Sequence, residues 1–203
     1  MKILKYVGNY LYKLDKMIRE KTVKPEDKEF VEGLEKLGFY KYVDESKCEE
    51  LKKEFIVGTA LFTIDTGRVF FADAENLAEG GVGDFIKGVS PYLNNQGVKD
   101  IILEECFESD QDYTIDVNTK RYLIYKCTDS GLDMWKKSTV MALFIINRLL
   151  EDVNSSERIY LLYGDNDGIA VFLTPQQHTF ICSYPFLPES ERPILINDQT
   201  MQL

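Results

Sequence analysis

Histidine and cysteine, the side chains that often carry catalysis and bind metal ions, are scarce in this sequence. Its 203 residues include one histidine, His178, and four cysteines. The cysteines are spaced neither as metal ligands nor as a redox pair, which indicates reduced thiols in a cytoplasmic protein. No nucleophile motif such as Gly-x-Ser-x-Gly accompanies His178, so we expect a surface or structural role for it. The sequence therefore predicts no catalytic residue, no metal ligand and no cofactor.

Long apolar runs are also missing. No stretch reaches the roughly 18–20 uninterrupted apolar residues that a membrane helix requires. Near the N-terminus, Lys13, Asp15 and Lys16 interrupt the apolar residues, which predicts an amphipathic helix over 3–19 and no signal peptide. Hydrophobic residues nevertheless make up 44% of the chain, and no low-complexity tract is present, so we expect a folded globular protein outside the membrane.

Lysine and arginine are fewer than aspartate and glutamate, and most of the difference falls in one segment of the chain. The chain has 24 Lys and Arg against 34 Asp and Glu, a net charge of −10. Residues 69–119 hold eleven carboxylates and two lysines, a net charge of −9. This balance disfavours nucleic acid and anionic membranes as partners, because both would repel it. Since crowded like charges repel one another in the folded state, a cationic partner, a bound metal ion or solvation must offset them.

The first hypothesis is that this acidic segment binds a basic protein, such as a toxin domain. Carboxylates on a strand and its loops steer a cationic surface toward them, and aromatic side chains among them can anchor an interface. The candidate partner-binding residues are Asp84, Glu104, Glu105, Glu108, Asp110, Asp112, Tyr113 and Asp116.

Two alternatives remain open for the same carboxylates. A divalent-metal-dependent hydrolase would need carboxylates that converge on one point. Glu104 and Glu105 are adjacent and should face opposite sides of a strand, which weakens that hypothesis. A structural or adaptor protein would use its acidity for solubility alone, with the carboxylates scattered over its surface.

The apolar periodicity predicts an α+β fold, with mainly antiparallel hairpins packed against a long core helix. Helices are predicted after Pro25, over 46–55, 83–93 and 132–152, and from Thr174-Pro175 through 181. Strands are predicted over 55–64, 68–72, 100–107, 113–117, 121–127, 159–163 and 169–173, the first two paired as a hairpin. We expect one domain, with a helical N-terminal subdomain over 1–55, a sheet-and-helix core over 56–184 and an extended tail over 185–203.

Two glycine-containing segments could suggest ligand loops. The sequence Asp165-Asn166-Asp167-Gly168 lacks the carboxylates that an EF-hand requires at its ends, so a tight hairpin turn is the better interpretation. Residues 79–84, Glu-Gly-Gly-Val-Gly-Asp, match neither a dinucleotide fingerprint nor a phosphate loop. We expect a flexible joint there that leads into the following helix.

Two adjacent segments, Glu157–Gly168 with the sequence ERIYLLYGDNDG and Ala170–Pro175 with the sequence AVFLTP, carry a resemblance. They resemble those of the small, acidic immunity proteins that bacteria encode beside polymorphic or contact-dependent toxins. This resemblance implies a non-enzymatic, cytoplasmic inhibitor that covers a cognate toxin. The resemblance covers about twenty residues, and it does not identify any functional residue in this sequence.

Overall fold

A computed structural model describes residues 25–56, 62, 64–108, 110–163, 168–185 and 187–200. The predicted helix over 3–19, most of the predicted strand over 55–64 and the turn at 165–167 lie outside the described residues. Contacts within the chain divide it into two compact units, Met1–Gly67 and Arg68–Leu203. The fold is α+β, as predicted, and its strands form two antiparallel sheets.

The first unit contains helices α1 (Pro25–Lys36) and α2 (Glu45–Ile56). The predicted apolar stripe of α1 is buried at Phe30, Val31 and Leu34. As predicted, Gly38 ends this helix, because its φ of +71° lets the chain turn back. Lys52 of α2 bridges to Glu35 of α1 at 2.5 Å and to Glu49 at 2.8 Å.

Most of the first strand of the predicted hairpin between 55–64 and 68–72 lies outside the described residues, so its pairing stays a prediction. Both ends of that strand were predicted wrongly, since helix α2 continues through Ile56 and a short 3-10 turn occupies Ile64–Thr66. Strand β1 (Val69–Phe71) pairs antiparallel with β6 (Ile169–Leu173), about one hundred residues later. Apolar β-forming residues over 55–64 predicted a strand locally, but pairing between distant segments cannot be read from a local pattern.

The larger sheet of the second unit has the strand order β1-β6-β5-β7. Strand β5 (Arg158–Tyr163) forms the predicted hairpin with β6. Strand β7 (Ile194–Leu195) pairs with β5 at Leu161 and Tyr160. The predicted extended tail is therefore partly wrong, since it contains a 3-10 turn at Glu189–Glu191 and contributes an edge strand to the sheet.

The smaller sheet contains β2 (Leu103–Cys106), β3 (Tyr113–Val117) and β4 (Lys120–Tyr125), in that order and antiparallel. Its inner face carries Tyr113, Ile115 and Val117, which are all buried. Its outer face carries the alternate residues, among them Glu104 and Asp116.

The helices of the second unit follow the predicted positions closely. A short helix α3 (Ala74–Asn76) leads through a kinked turn into α4 (Val82–Asn95). The long helix α5 (Leu132–Asp152) is buried along much of its length, including Leu143, Ile145 and Ile146 at 0% exposure. Helix α6 (Pro175–Cys182) begins with a capping box between Thr174 and Gln177.

The core contains a buried ion pair and a buried amide side chain that the apolar pattern did not predict. Arg68 and Glu157 form an ion pair of 3.0 Å with both side chains at 0% exposure, and Arg68 also donates to the hydroxyl of Tyr92. Asn147 of α5 accepts from the backbone N–H of Ile159 and donates to the carbonyls of Ile159 and Ile196. The side chain of Asn147 thus takes the place of backbone pairing between Ile159 and Ile196, one residue beyond the last pair of β5 and β7.

Candidate functional site

The two acidic segments, 73–84 and 104–116, meet at the first turn of α4. The backbone N–H of Gly83 donates to the carboxylate of Glu105 at 2.9 Å. The N–H of Val82 donates to the hydroxyl of Tyr113 at 3.2 Å, and this hydroxyl donates to Glu105. A carboxylate is favourable here because it accepts the unpaired N–H groups at the start of a helix.

The glycines of the predicted joint have defined packing roles. A Cβ atom at Gly83 would collide with the Glu105 carboxylate, and one at Gly81 would collide with Asn76. Gly80 has a φ of +92°, and a Cβ there would lie 3.0 Å from the ring of Phe107. The segment 79–83 is therefore a close-packed kink that fits strand β2 against α4.

Glu105 and Tyr113 serve this structural arrangement. Tyr113 is 1% exposed, so its ring does not belong to the surface that the sequence predicted it would join. Burial, together with the hydrogen bond to Glu105, raises the pKa of its hydroxyl well above the usual value. Glu105 is half-buried and its Oε1 accepts from both Gly83 and Tyr113, so it caps α4 from a neighbouring strand.

Glu104 and Asp116 lie directly opposite each other on the outer face of the smaller sheet. Like charges in this position repel. Arg121, the next residue across the sheet, offsets the repulsion by binding Asp116 through two hydrogen bonds of 2.7 and 2.6 Å. These bonds hold the pKa of Asp116 below its usual value.

The loop between β2 and β3 carries the remaining predicted carboxylates, and all of them are exposed. Asp112 accepts from the backbone N–H of Cys127 at 2.9 Å, which ties the loop to the end of β4. Glu108 accepts from the side chain of Gln111 at 2.6 Å. Asp110 is exposed and takes no hydrogen bond or ion pair from the described residues.

A half-exposed aromatic ring lies among these loop carboxylates. Phe107 is 47% exposed and packs edge-on against Tyr113, with ring centroids 5.1 Å apart. Its ring also covers Gly80. The exposed residue Glu79 precedes Gly80 in the chain, and the exposed residue Glu108 follows Phe107. We call Phe107, Glu79, Glu108 and Asp110 the acidic end of the smaller sheet.

Asp84 completes the predicted set. It is exposed on the first turn of α4 and pairs with Lys87 at 3.0 Å. The predicted residues thus separate into three groups. Glu105, Tyr113 and Asp112 hold structural hydrogen bonds, and Asp84 and Asp116 are paired with cations. Glu104, Glu108 and Asp110 are exposed and form no salt bridge among the described residues, although Glu104 interacts electrostatically with Arg121.

These carboxylates do not converge as a metal site would require. Glu104 and Glu105 face opposite sides of β2, and Arg121 occupies both oxygens of Asp116. Within the part of the chain that the structure describes, no group of three His, Cys, Asp or Glu residues could hold a metal ion.

His178 has the structural contacts that its isolation in the sequence predicted. Its ring stacks on Tyr160, with centroids 4.5 Å apart, and its Nε2 lies 2.8 Å from the carbonyl oxygen of Pro193. The sulfur of Cys182 is 3.4 Å from the same nitrogen. Burial raises the pKa of the Cys182 thiol, which favours its protonated form.

Comparisons with known proteins add no relative. No family model matches the chain, and no curated protein or solved structure matches it significantly. Among the described residues, no helix is both long and apolar enough to cross a membrane.

Proposed function

We propose that this protein is a non-enzymatic binding protein whose acidic end engages a basic protein partner. The observation that carries the proposal is Phe107, a large aromatic ring left 47% exposed beside exposed carboxylates. Aromatic side chains are common binding anchors, and surrounding charges select the partner and accelerate its association. We place Phe107 at the centre of the contact and Glu79, Glu108 and Asp110 at its rim.

Two further observations support this proposal. The kink at 79–83 is packed against β2, so close contacts hold Glu79 and Phe107 together, while Glu108 and Asp110 extend from the loop between β2 and β3. Further exposed apolar side chains lie on the outer face of the same sheet, Ile102 at 69% and Leu123 at 43% exposure. A cytoplasmic immunity protein that covers a basic toxin is the form of this function that the sequence resemblance favours.

The test compares two triple charge reversals. The first, E79K/E108K/D110K, reverses the acidic end and leaves the structural carboxylates Glu105 and Asp112 in place. The matched control, D133K/D152K/E189K, changes the net charge equally at exposed sites elsewhere in the second unit. Each protein is used to capture partners from extracts of the cells that produce it, and a retained protein is then purified and titrated.

We expect the wild type and the control triple variant to bind the same basic protein, with an affinity that falls as salt increases. The acidic-end variant and F107A should lose this binding while keeping their thermal unfolding transitions. Equal binding by the acidic-end variant would show that the carboxylates only solvate the surface.

A further inference from the structure

A second recognition feature lies in the same unit but away from the acidic end. A cleft of about 410 Å³ opens between the start of β5, helix α6 and strand β7. Its apolar walls include Tyr160, Pro175 and Leu195, and its polar lining includes Ser156, Arg158 and His178. No carboxylate lines it, although the chain carries 34 carboxylates against 24 cations.

Arg158 is oriented by two backbone carbonyls and by an ion pair with Glu151, and these contacts leave its Nη2 without a hydrogen bond in the described part of the chain. Its Nη1 donates to the backbone carbonyls of Ser155 at 2.8 Å and Glu157 at 2.7 Å. The carboxylate of Glu151 is 3.6 Å from its Nε, too far for a hydrogen bond. A fixed guanidinium with an unused edge is a strong donor to an oxyanion.

His178 and Ser156 offer further unused polar atoms. A carbonyl oxygen can only accept, so the 2.8 Å contact with Pro193 places a proton on Nε2 of His178. Its Nδ1 has no hydrogen-bond partner in the described part of the chain. Ser156 is exposed, and its hydroxyl is equally unused there.

We propose that this cleft binds a small oxyanion, a phosphate or carboxylate group, which Arg158 and Ser156 hold while Pro175 and Leu195 contact an apolar part of the ligand. The stacking of His178 on Tyr160 sets the position of the imidazole beside the anion. This site goes beyond the protein-binding function proposed above, since it shares no residue with the acidic end.

The test is an NMR titration of the full chain with inorganic phosphate and, separately, with benzoate, each against sodium chloride of equal ionic strength. We expect saturable amide shifts confined to residues 155–160, 176–179 and 194–196. Saturation with phosphate alone would identify a bare oxyanion site, and saturation with benzoate alone would identify a site for apolar carboxylates. No saturation with either, or the same shifts with chloride, would overturn the proposal.

Variants then locate the binding group. R158Q should weaken binding about tenfold or more, because a charge-assisted hydrogen bond is lost. R121Q, the same substitution on the smaller sheet, should bind like the wild type. S156A removes a hydroxyl without a structural bond, so it gives a second measurement if R158Q does not fold, and we expect weaker binding. Equal affinity in R158Q and R121Q, or wild-type affinity in S156A with R158Q unfolded, would contradict the assignment.

Discussion

Two of the arginine–carboxylate pairs in the second unit differ sharply in their surroundings. Arg68 and Glu157 lie in the core with both side chains at 0% exposure, 3.0 Å apart. Arg121 and Asp116 lie on the outer face of the smaller sheet at 71% and 26% exposure, 2.6 Å apart. The shorter pair is the weaker one, because water solvates both charges when it breaks and mobile ions screen it. Loss of one partner in the core leaves a charge that water cannot reach.

The largest expected effect is at the core pair. R68M should lower the free energy of unfolding by about 3–5 kcal/mol, because it leaves Glu157 buried without its cation. The carbonyl of Phe172 and the hydroxyl of Tyr92 also lose a donor. Urea unfolding measures the loss, with R121M as the matched control at the surface pair. The double variant R68M/E157M should recover most of the stability, since no charge then remains buried. Similar losses in R68M and R121M would contradict the comparison.

An intermediate effect is expected where a carboxylate holds a helix end. E105A should cost about 1–2 kcal/mol, because the N–H of Gly83 and the hydroxyl of Tyr113 lose their acceptor. Its neighbour on the opposite face is the control, and E104A should change stability by no more than about 0.5 kcal/mol. Chemical denaturation distinguishes the two. If E104A proved as costly as E105A, the capping role of Glu105 would be refuted.

The smallest effect is the pH dependence of the surface pair. Because Arg121 lowers the pKa of Asp116 in the folded state, the stabilisation is complete above the ordinary aspartate pKa and is lost as pH falls through the lowered value. D116N should therefore be less stable than the wild type at neutral pH, and the gap should close below about pH 4. Thermal melts across this range measure it, and added salt should narrow the gap. A stability difference between D116N and the wild type that grows in acid would contradict the lowered pKa of Asp116.

The sequence predicted individual helices and strands better than it predicted which strands pair. The stripes of α1 and α5 and the hairpin of β5 and β6 follow from apolar periodicity and turn residues. The partner of β1 did not follow, because Val69 pairs with Val171 across most of the unit. The tail was predicted as extended, yet its pairing with β5 depends on Asn147 in a distant helix.

The candidate site shows the same division. The composition located the dense negative charge between residues 69 and 119. The alternation of side chains along a strand correctly placed Glu104 and Glu105 on opposite faces of β2. The sequence could not show which carboxylates accept hydrogen bonds, because the N–H groups of Gly83 and Cys127 bind carboxylates from other strands and loops. A possible signal was the third glycine of the 79–84 segment, which marks close approach of another group. The cleft around Arg158 left no local signal, because its lining comes from three separate segments.

By itself, the sequence determined the fold class, most helices and strands and the location of the negative charge, because these depend on the order of neighbouring residues. The tertiary structure decided which charges are structural and which remain exposed. It engaged Glu105 and Asp112 in hydrogen bonds, buried Glu157 with Arg68, and left Glu108 and Asp110 exposed beside Phe107. The physical reason is that the role of a carboxylate depends on its donors and on its access to water, and both come from residues distant in the chain.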